Sequence, residues 1–138
     1  MTIRLTAARL ALLGLFLLSM AVNMIVVGVS YLRGGFYAAH LQQLILAVLS
    51  IYSVPLSAIL GGMFAQRSDS ERPISNPAFW VAFAVAAAWN LLLVGRAILF
   101  GLAREDSVAD FAGYLGAVSA ASSFLVVGAL AYFFTKKE

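Results

Sequence analysis

Cysteine is absent from this 138-residue chain, which removes disulfides, thiolate metal ligands and thiol nucleophiles together. Histidine occurs once, at His40, too little for bis-histidine haem ligation or a histidine-built metal site. Charge is scarce as well. Asp, Glu, Lys and Arg make up 11% of residues against 63% hydrophobic, and the mean hydropathy is +0.98. A single domain of that composition has too little polar surface to coat a water-soluble globule.

The few charges also avoid whole stretches. None falls between Leu10 and Leu32, Gly34 and Gln66, Pro73 and Gly95, or Phe111 and Thr135. About 20 apolar residues in a helix cross the hydrocarbon of a bilayer, so four spans are expected, near 9–31, 40–65, 77–102 and 108–134. The fold class expected is all-α: one integral membrane domain, 1–138, built as a four-helix bundle. The first apolar run is too long for a signal peptide and is followed by Phe36 and Tyr37 where a cleavage site needs small residues, so it reads as a retained helix.

Basic residues set the orientation. Arg4, Arg9, Arg67, Arg72, Lys136 and Lys137 flank one side, and only Arg33 and Arg104 the other. That bias puts both termini and the loop around RSDSERP in the cytoplasm of a cell membrane. The net charge of +3 then reflects topology, and its scattered residues suggest contact with anionic lipid and no nucleic-acid partner.

Helix ends carry local signals. Ser75 or Asn76 before Pro77 suits the start of the third helix, and Asp106 or Ser107 suits the cap of the fourth. Gly34 and Gly35 form the first outer turn. Aromatic residues at the span ends (Tyr31, Phe36, Tyr37, Phe79, Trp80, Tyr132, Phe133 and Phe134) resemble interfacial belts, and His40 an interfacial polar tip.

NMIVVG at 23–28 lies over NLLLVG at 90–95 at an offset of 67 residues. If this weak likeness is a repeat and not a coincidence of apolar helices, the chain is two tandem in-out-in hairpins, with Asn23 and Asn90 level across an axis along the membrane normal. Small residues stripe helix 3 (Ala82, Ala86, Asn90, Ala97, Gly101) and helix 4 (Gly113, Gly116, Ala117, Ala120, Ala121, Gly128, Ala131). Such faces let membrane helices approach closely, either inside the bundle or between subunits. The sequence does not divide these two uses.

Helix 2 carries Gln43, Ala47, Ser50, Ser53, Ser57 and Gly61 on one stripe, interrupted by Pro55. That stripe is either a polar pathway or interhelical packing, and Ser19, Asn23 and Ser30 form a thinner one on helix 1. Arg96 lies deep in an otherwise apolar run, VGRAILFG. Asp110 descends from the same surface, so Arg96 and Asp110 are the candidate intramembrane ion pair, with a snorkelling Arg96 as the alternative.

No nucleophile, base and orienting group assemble from these residues, so no catalytic residue, metal ligand or cofactor is expected. The expected function is a non-catalytic membrane subunit that acts through close helix packing in a homo-oligomer or larger membrane complex. The alternative is a channel, pore or small transporter subunit. Partners are then the lipid bilayer and further copies or other membrane subunits.

Overall fold

The computed structural model describes residues 2–65, 73–102 and 107–134. Arg67, Arg72, Arg104, Asp106, Lys136 and Lys137 lie outside them, as do the side chains of Ser75, Asn76, Ala121 and residues 131–134. Four long helices dominate: α1 (Leu5–Leu32), α2 (Ala38–Ala65), α3 (Asn76–Leu102) and α4 (Val108–Phe134). Among the described residues, three helices are long and apolar enough to cross a membrane, over Leu5–Leu32, Ala38–Phe64 and Pro77–Leu102. They mark the chain as a membrane protein. In α4 the stretch Val108–Ala120 is apolar but shorter.

Two three-residue strands, β1 (Thr2–Arg4) and β2 (Pro73–Ser75), pair antiparallel with Thr2 opposite Ser75 and Arg4 opposite Pro73. Proline has no N–H to give a ladder, and Pro73 sits at the first position of its strand, where that loss is tolerated. The ribbon ties the starts of α1 and α3 to the same end of the molecule. The hydropathy pattern carries no sign of it.

α1 starts at Leu5, four residues before the expected span near 9–31, and this sets Arg9 a full turn inside the helix. Arg9 is buried rather than displayed as an interfacial anchor, and it is engaged in a contact there. The turn to α2 is a helix-ending motif built on two glycines. Gly34 takes φ +75° and donates its N–H to the Tyr31 carbonyl, while Gly35 N–H reaches Ser30 O. The first position needs the left-handed conformation that glycine adopts without strain. The second needs the missing side chain, since a Cβ there would stand 2.9 Å from Ser30 O.

α1 packs on α2 and α3, and α4 packs on the same two helices. Ring contacts bind the end near that turn. Tyr31 meets Phe36, Phe36 meets Phe100, and Phe100 stacks on Phe111 at 4.4 Å between centroids. Along α1 and α3, Phe16 meets Trp89, while Gly101 lies between Val26 and Ser30. These contacts align α3 residues with α1 residues roughly 73 positions earlier. A 67-residue offset would leave Asn23 level with Asn90, so the structure instead sets Asn23 more than one helical turn further from the ribbon.

Candidate functional site

The polar residues of the membrane interior gather around Tyr52, near the middle of α2. Its hydroxyl lies 2.9 Å from Ser19 Oγ, and it accepts a hydrogen bond from Asn23 Nδ2 at 3.1 Å. Asn23 Nδ2 also donates to the Ser19 carbonyl at 2.9 Å. Ser19, Asn23 and Tyr52 are all buried. Ser19 and Asn23 stand one turn apart on α1, which puts both on the face that meets α2.

Trp89 of α3 closes this centre from the other side. Its ring lies 5.6 Å from Tyr52, edge-on, and 5.7 Å from Phe16. Asn90, the next residue, is buried and donates from Nδ2 to the Ala86 carbonyl at 2.8 Å. Among the described residues, three buried polar atoms are left without a hydrogen-bond partner: Asn23 Oδ1, Trp89 Nε1 and Asn90 Oδ1. Buried groups in that state are uncommon.

The α2 stripe lies elsewhere. Gln43, Ser50, Ser53 and Ser57 are exposed on the outside of the helices. Ser50 Oγ donates to the Ala47 carbonyl and Ser53 Oγ to the Ser50 carbonyl, so both hydroxyls are satisfied by their own helix. Pro55 keeps its place within a continuous α2, and its missing N–H leaves the Ile51 carbonyl without its helical donor.

Between α2 and α4 this side of the molecule holds a crevice of about 480 Å³. Ser50, Ile51, Val54 and Pro55 form one wall, Gly116, Ser119, Ala120, Val126 and Val127 the other, and Trp89 the floor. Its rim is exposed at Val54, Gly116 and Ala120, while Ile51, Val126 and Trp89 are buried.

The small-residue stripes of the two later helices have different environments. On α3, Ala82, Ala86 and Ala97 are buried, and a Cβ on Gly101 would meet Val26 Cγ1 at 3.1 Å and Ser30 Oγ at 3.2 Å. On α4, Gly113, Gly116, Ala117, Ala120 and Gly128 are exposed, and a Cβ on any of the three glycines would meet nothing within 4 Å.

Arg96 reaches α4 at Tyr114, its guanidinium carbon 5.3 Å from the ring centroid. Asp110 lies one turn earlier on α4 and is held by the helix cap. Ser107 Oγ donates to Asp110 Oδ2 at 2.6 Å and accepts the Asp110 N–H at 3.0 Å. The carboxylate thereby sits in the first turn, at the positive end of the helix dipole. His40 stands beside Tyr37, 6.1 Å between ring centres.

Of the residues singled out in the sequence, the structure brings Asn23 together with Ser19 and brings Arg96 to α4. It separates Asn23 and Asn90 from the α2 stripe. Tyr52 and Trp89 were legible only as aromatics inside a span. Their depth was the available signal, because tyrosine and tryptophan in hydrocarbon need a partner for O–H or N–H. No protein-family model, characterised protein or solved structure matches the chain.

Proposed function

We propose that the protein is a non-catalytic subunit of a membrane assembly, working through helix packing with further copies or other membrane subunits. Each chain crosses a cell membrane four times as a helical bundle of two tandem hairpins lying side by side, with both termini in the cytoplasm. The observation that carries this reading is the outward small face of α4. Between helices in lipid, close backbone approach and van der Waals contact replace the hydrophobic drive. An exposed face of Gly113, Ala117 and Gly128, with nothing within 4 Å of a Cβ at either glycine among the described residues, is suited to a helix from another chain. Exposed Gln43, Ser53 and Ser57 on α2 add hydrogen-bonding groups to the same reading.

The exposure of the α2 stripe also favours a second reading, a channel or small transporter subunit. A polar path along Gln43, Ser50, Ser53 and Ser57 would then run between copies arranged with α2 inward, since these residues face away from the chain's own interior. Mass measurement on complexes extracted in native lipid tests the first reading. Several copies or foreign membrane proteins in one particle support it, and a particle holding a single chain overturns both.

A further inference from the structure

Arg96 is the charge within an otherwise apolar span, and its depth governs what can meet it. The span Pro77–Leu102 has 26 residues, about 39 Å of helix against about 30 Å of hydrocarbon. With the span centred in the bilayer, Arg96 lies about 5 Å inside the hydrocarbon edge, at the end where α3 leads to α4. The residue is half-buried. Its neighbours one turn away on the same face, Leu92 and Leu99, are exposed. This side of the seam between α3 and α4 therefore looks onto lipid. A charged side chain in that position calls for a polar partner.

The α4 side of the seam shows which partner fits. Tyr114 holds the guanidinium carbon 5.3 Å from its ring centroid. Aromatic side chains on a helix lean toward its N-terminus, and that end of α4 is the one nearer the headgroups. The guanidinium is thus drawn outward from its own level. A ring face engages its charge without using any of its five N–H donors. Arg96 has a further contact within the chain, and two N–H groups suffice to grip a phosphate bidentately. The Tyr114 hydroxyl makes no hydrogen bond among the described residues and adds another donor.

Asp110 stands on the same face of α4 as Tyr114, four residues earlier and so about 6 Å nearer the water. It is exposed, and it is the one acidic residue among the described residues. Ser107 engages its Oδ2, while Oδ1 takes no hydrogen bond among the described residues. The seam therefore presents a cation with donors on the inside and an anion with an open acceptor further out. A phospholipid headgroup carries the complementary order, phosphate nearer the hydrocarbon and any amino group nearer the water. A headgroup without an amine would bring its phosphate near the Asp110 carboxylate, a like charge. A choline group would bring a cation but no N–H for Oδ1. A primary ammonium, two carbons beyond the phosphate, supplies both.

We propose that Arg96, Tyr114 and Asp110 bind the headgroup of a phospholipid of the phosphatidylethanolamine kind. The phosphodiester accepts from the Arg96 guanidinium and the Tyr114 hydroxyl, and the ammonium donates to Asp110 Oδ1. The acyl chains run along Leu92 and Leu99. The site requires that α3 cross the membrane, and it does not depend on the assembly proposed above.

The full chain in maltoside micelles provides the test. It is offered an equimolar mixture of dioleoyl phosphatidylethanolamine, phosphatidylcholine and phosphatidylglycerol, and retained lipid is read by native mass spectrometry. Phosphatidylethanolamine should be retained several-fold over the other two. Asp110→Asn should remove that preference and raise the retention of phosphatidylglycerol. Arg96→Gln should lower retention of all three about tenfold, as loss of a charge-assisted pair does. Tyr114→Phe keeps the ring beside the guanidinium and should lower retention about two- to tenfold, the usual worth of one hydrogen bond. The Asp110 and Tyr114 changes are conservative, so they report even if Arg96→Gln fails to fold. Inorganic phosphate and soluble phosphoethanolamine should displace no lipid.

Equal retention of the three lipids overturns the proposal, as does a preference that survives Asp110→Asn. Retention unchanged in Arg96→Gln would place the lipid elsewhere on the protein. Displacement by inorganic phosphate would make this a site for the free anion and remove the lipid from it.

Discussion

The Ser19 hydroxyl of α1 meets the Tyr52 hydroxyl of α2 at 2.9 Å, and the same phenol oxygen accepts from Asn23 at 3.1 Å. This places a three-residue hydrogen-bonded group where no water is at hand to replace a lost partner. Tyr52→Phe should therefore destabilise the protein by about 0.6–1.7 kcal/mol, the range found for side-chain hydrogen bonds between membrane helices. Ser19→Ala should cost less once Tyr52 is already Phe, because the shared bond can be lost only once. Unfolding curves in mixed micelles measure the cycle, and strictly additive losses would show the two hydroxyls to be independent.

Glycines 101 and 128 look alike in sequence, each on a small-residue stripe, but they meet different surroundings. Gly101→Leu drives a side chain into Val26 and Ser30 and should destabilise the single chain by roughly 1–3 kcal/mol, as overpacking generally does. Gly128→Leu has open space and should leave the monomer's unfolding midpoint unchanged. Its expected effect is loss of self-association or of a partner during extraction. A Gly128→Leu protein that assembles normally would remove α4 from the interface.

The contrast shows what the sequence could and could not reveal. Spans were legible because hydrocarbon excludes charge, and the charge-free windows follow the helices to within a few residues. The largest differences are at the end of α3, where a window that stops at any arginine ends at Gly95 while the helix runs on to Leu102, and at the start of α1, where the helix takes in a buried Arg9. Direction of facing was not legible. Ala82, Ala86 and Gly101 belong to a small-residue stripe much like that of Gly113, Ala117 and Gly128, and only tertiary contact distinguishes the stripe turned inward from the stripe left outside. Nor did the polar pattern distinguish Asn23, held by Tyr52, from Ser53, which bonds to its own helix. The β1–β2 ribbon escaped notice because TIR and PIS are too short to show alternation.

Arg96 crosses from α3 to α4, with its guanidinium carbon 5.3 Å from the Tyr114 ring and Asp110 one turn away. A cation over an aromatic face contributes about 0.5–2 kcal/mol, more as water is excluded. Arg96→Leu and Tyr114→Leu should couple by about that amount in a double-mutant cycle. The Arg96 and Asp110 pair should couple more weakly, because Ser107 already engages the carboxylate. Thermal melts in detergent give both cycles. An Arg96–Asp110 cycle with no coupling would leave Arg96 as a residue that binds α4 through Tyr114 alone.

The cap itself is a separable quantity. Ser107 supplies the acceptor for the Asp110 N–H at the start of α4, and its loss leaves one of the helix's first N–H groups without that partner. Ser107→Ala should cost about 1 kcal/mol, and Ser107→Asp should restore most of it, since both residue types cap well. Equal stability of the wild-type and alanine proteins would mean that water or another group caps the helix as effectively.

The α2 stripe decides between subunit packing and a conducting path. Ser53 and Ser57 are exposed on the outside of the chain, and Ser53 needs no external partner because its hydroxyl reaches the Ser50 carbonyl. In a packed assembly a neighbouring helix or lipid covers them; in a ring with α2 inward, water does. The chain has no cysteine of its own, so single cysteines at 53 and 57 report without background. Under packing, a membrane-impermeant maleimide should leave both unlabelled in intact membranes, and Ser53→Leu with Ser57→Leu should loosen the assembly. Under conduction, both cysteines should label, and the double leucine protein should assemble normally but conduct less as its path dries. The expected result is protection. The outward α4 glycines already call for a neighbouring helix, and serines bonded to their own backbone can face one without loss. Labelling at both positions with assembly intact would overturn that expectation and make α2 the lining of a pore.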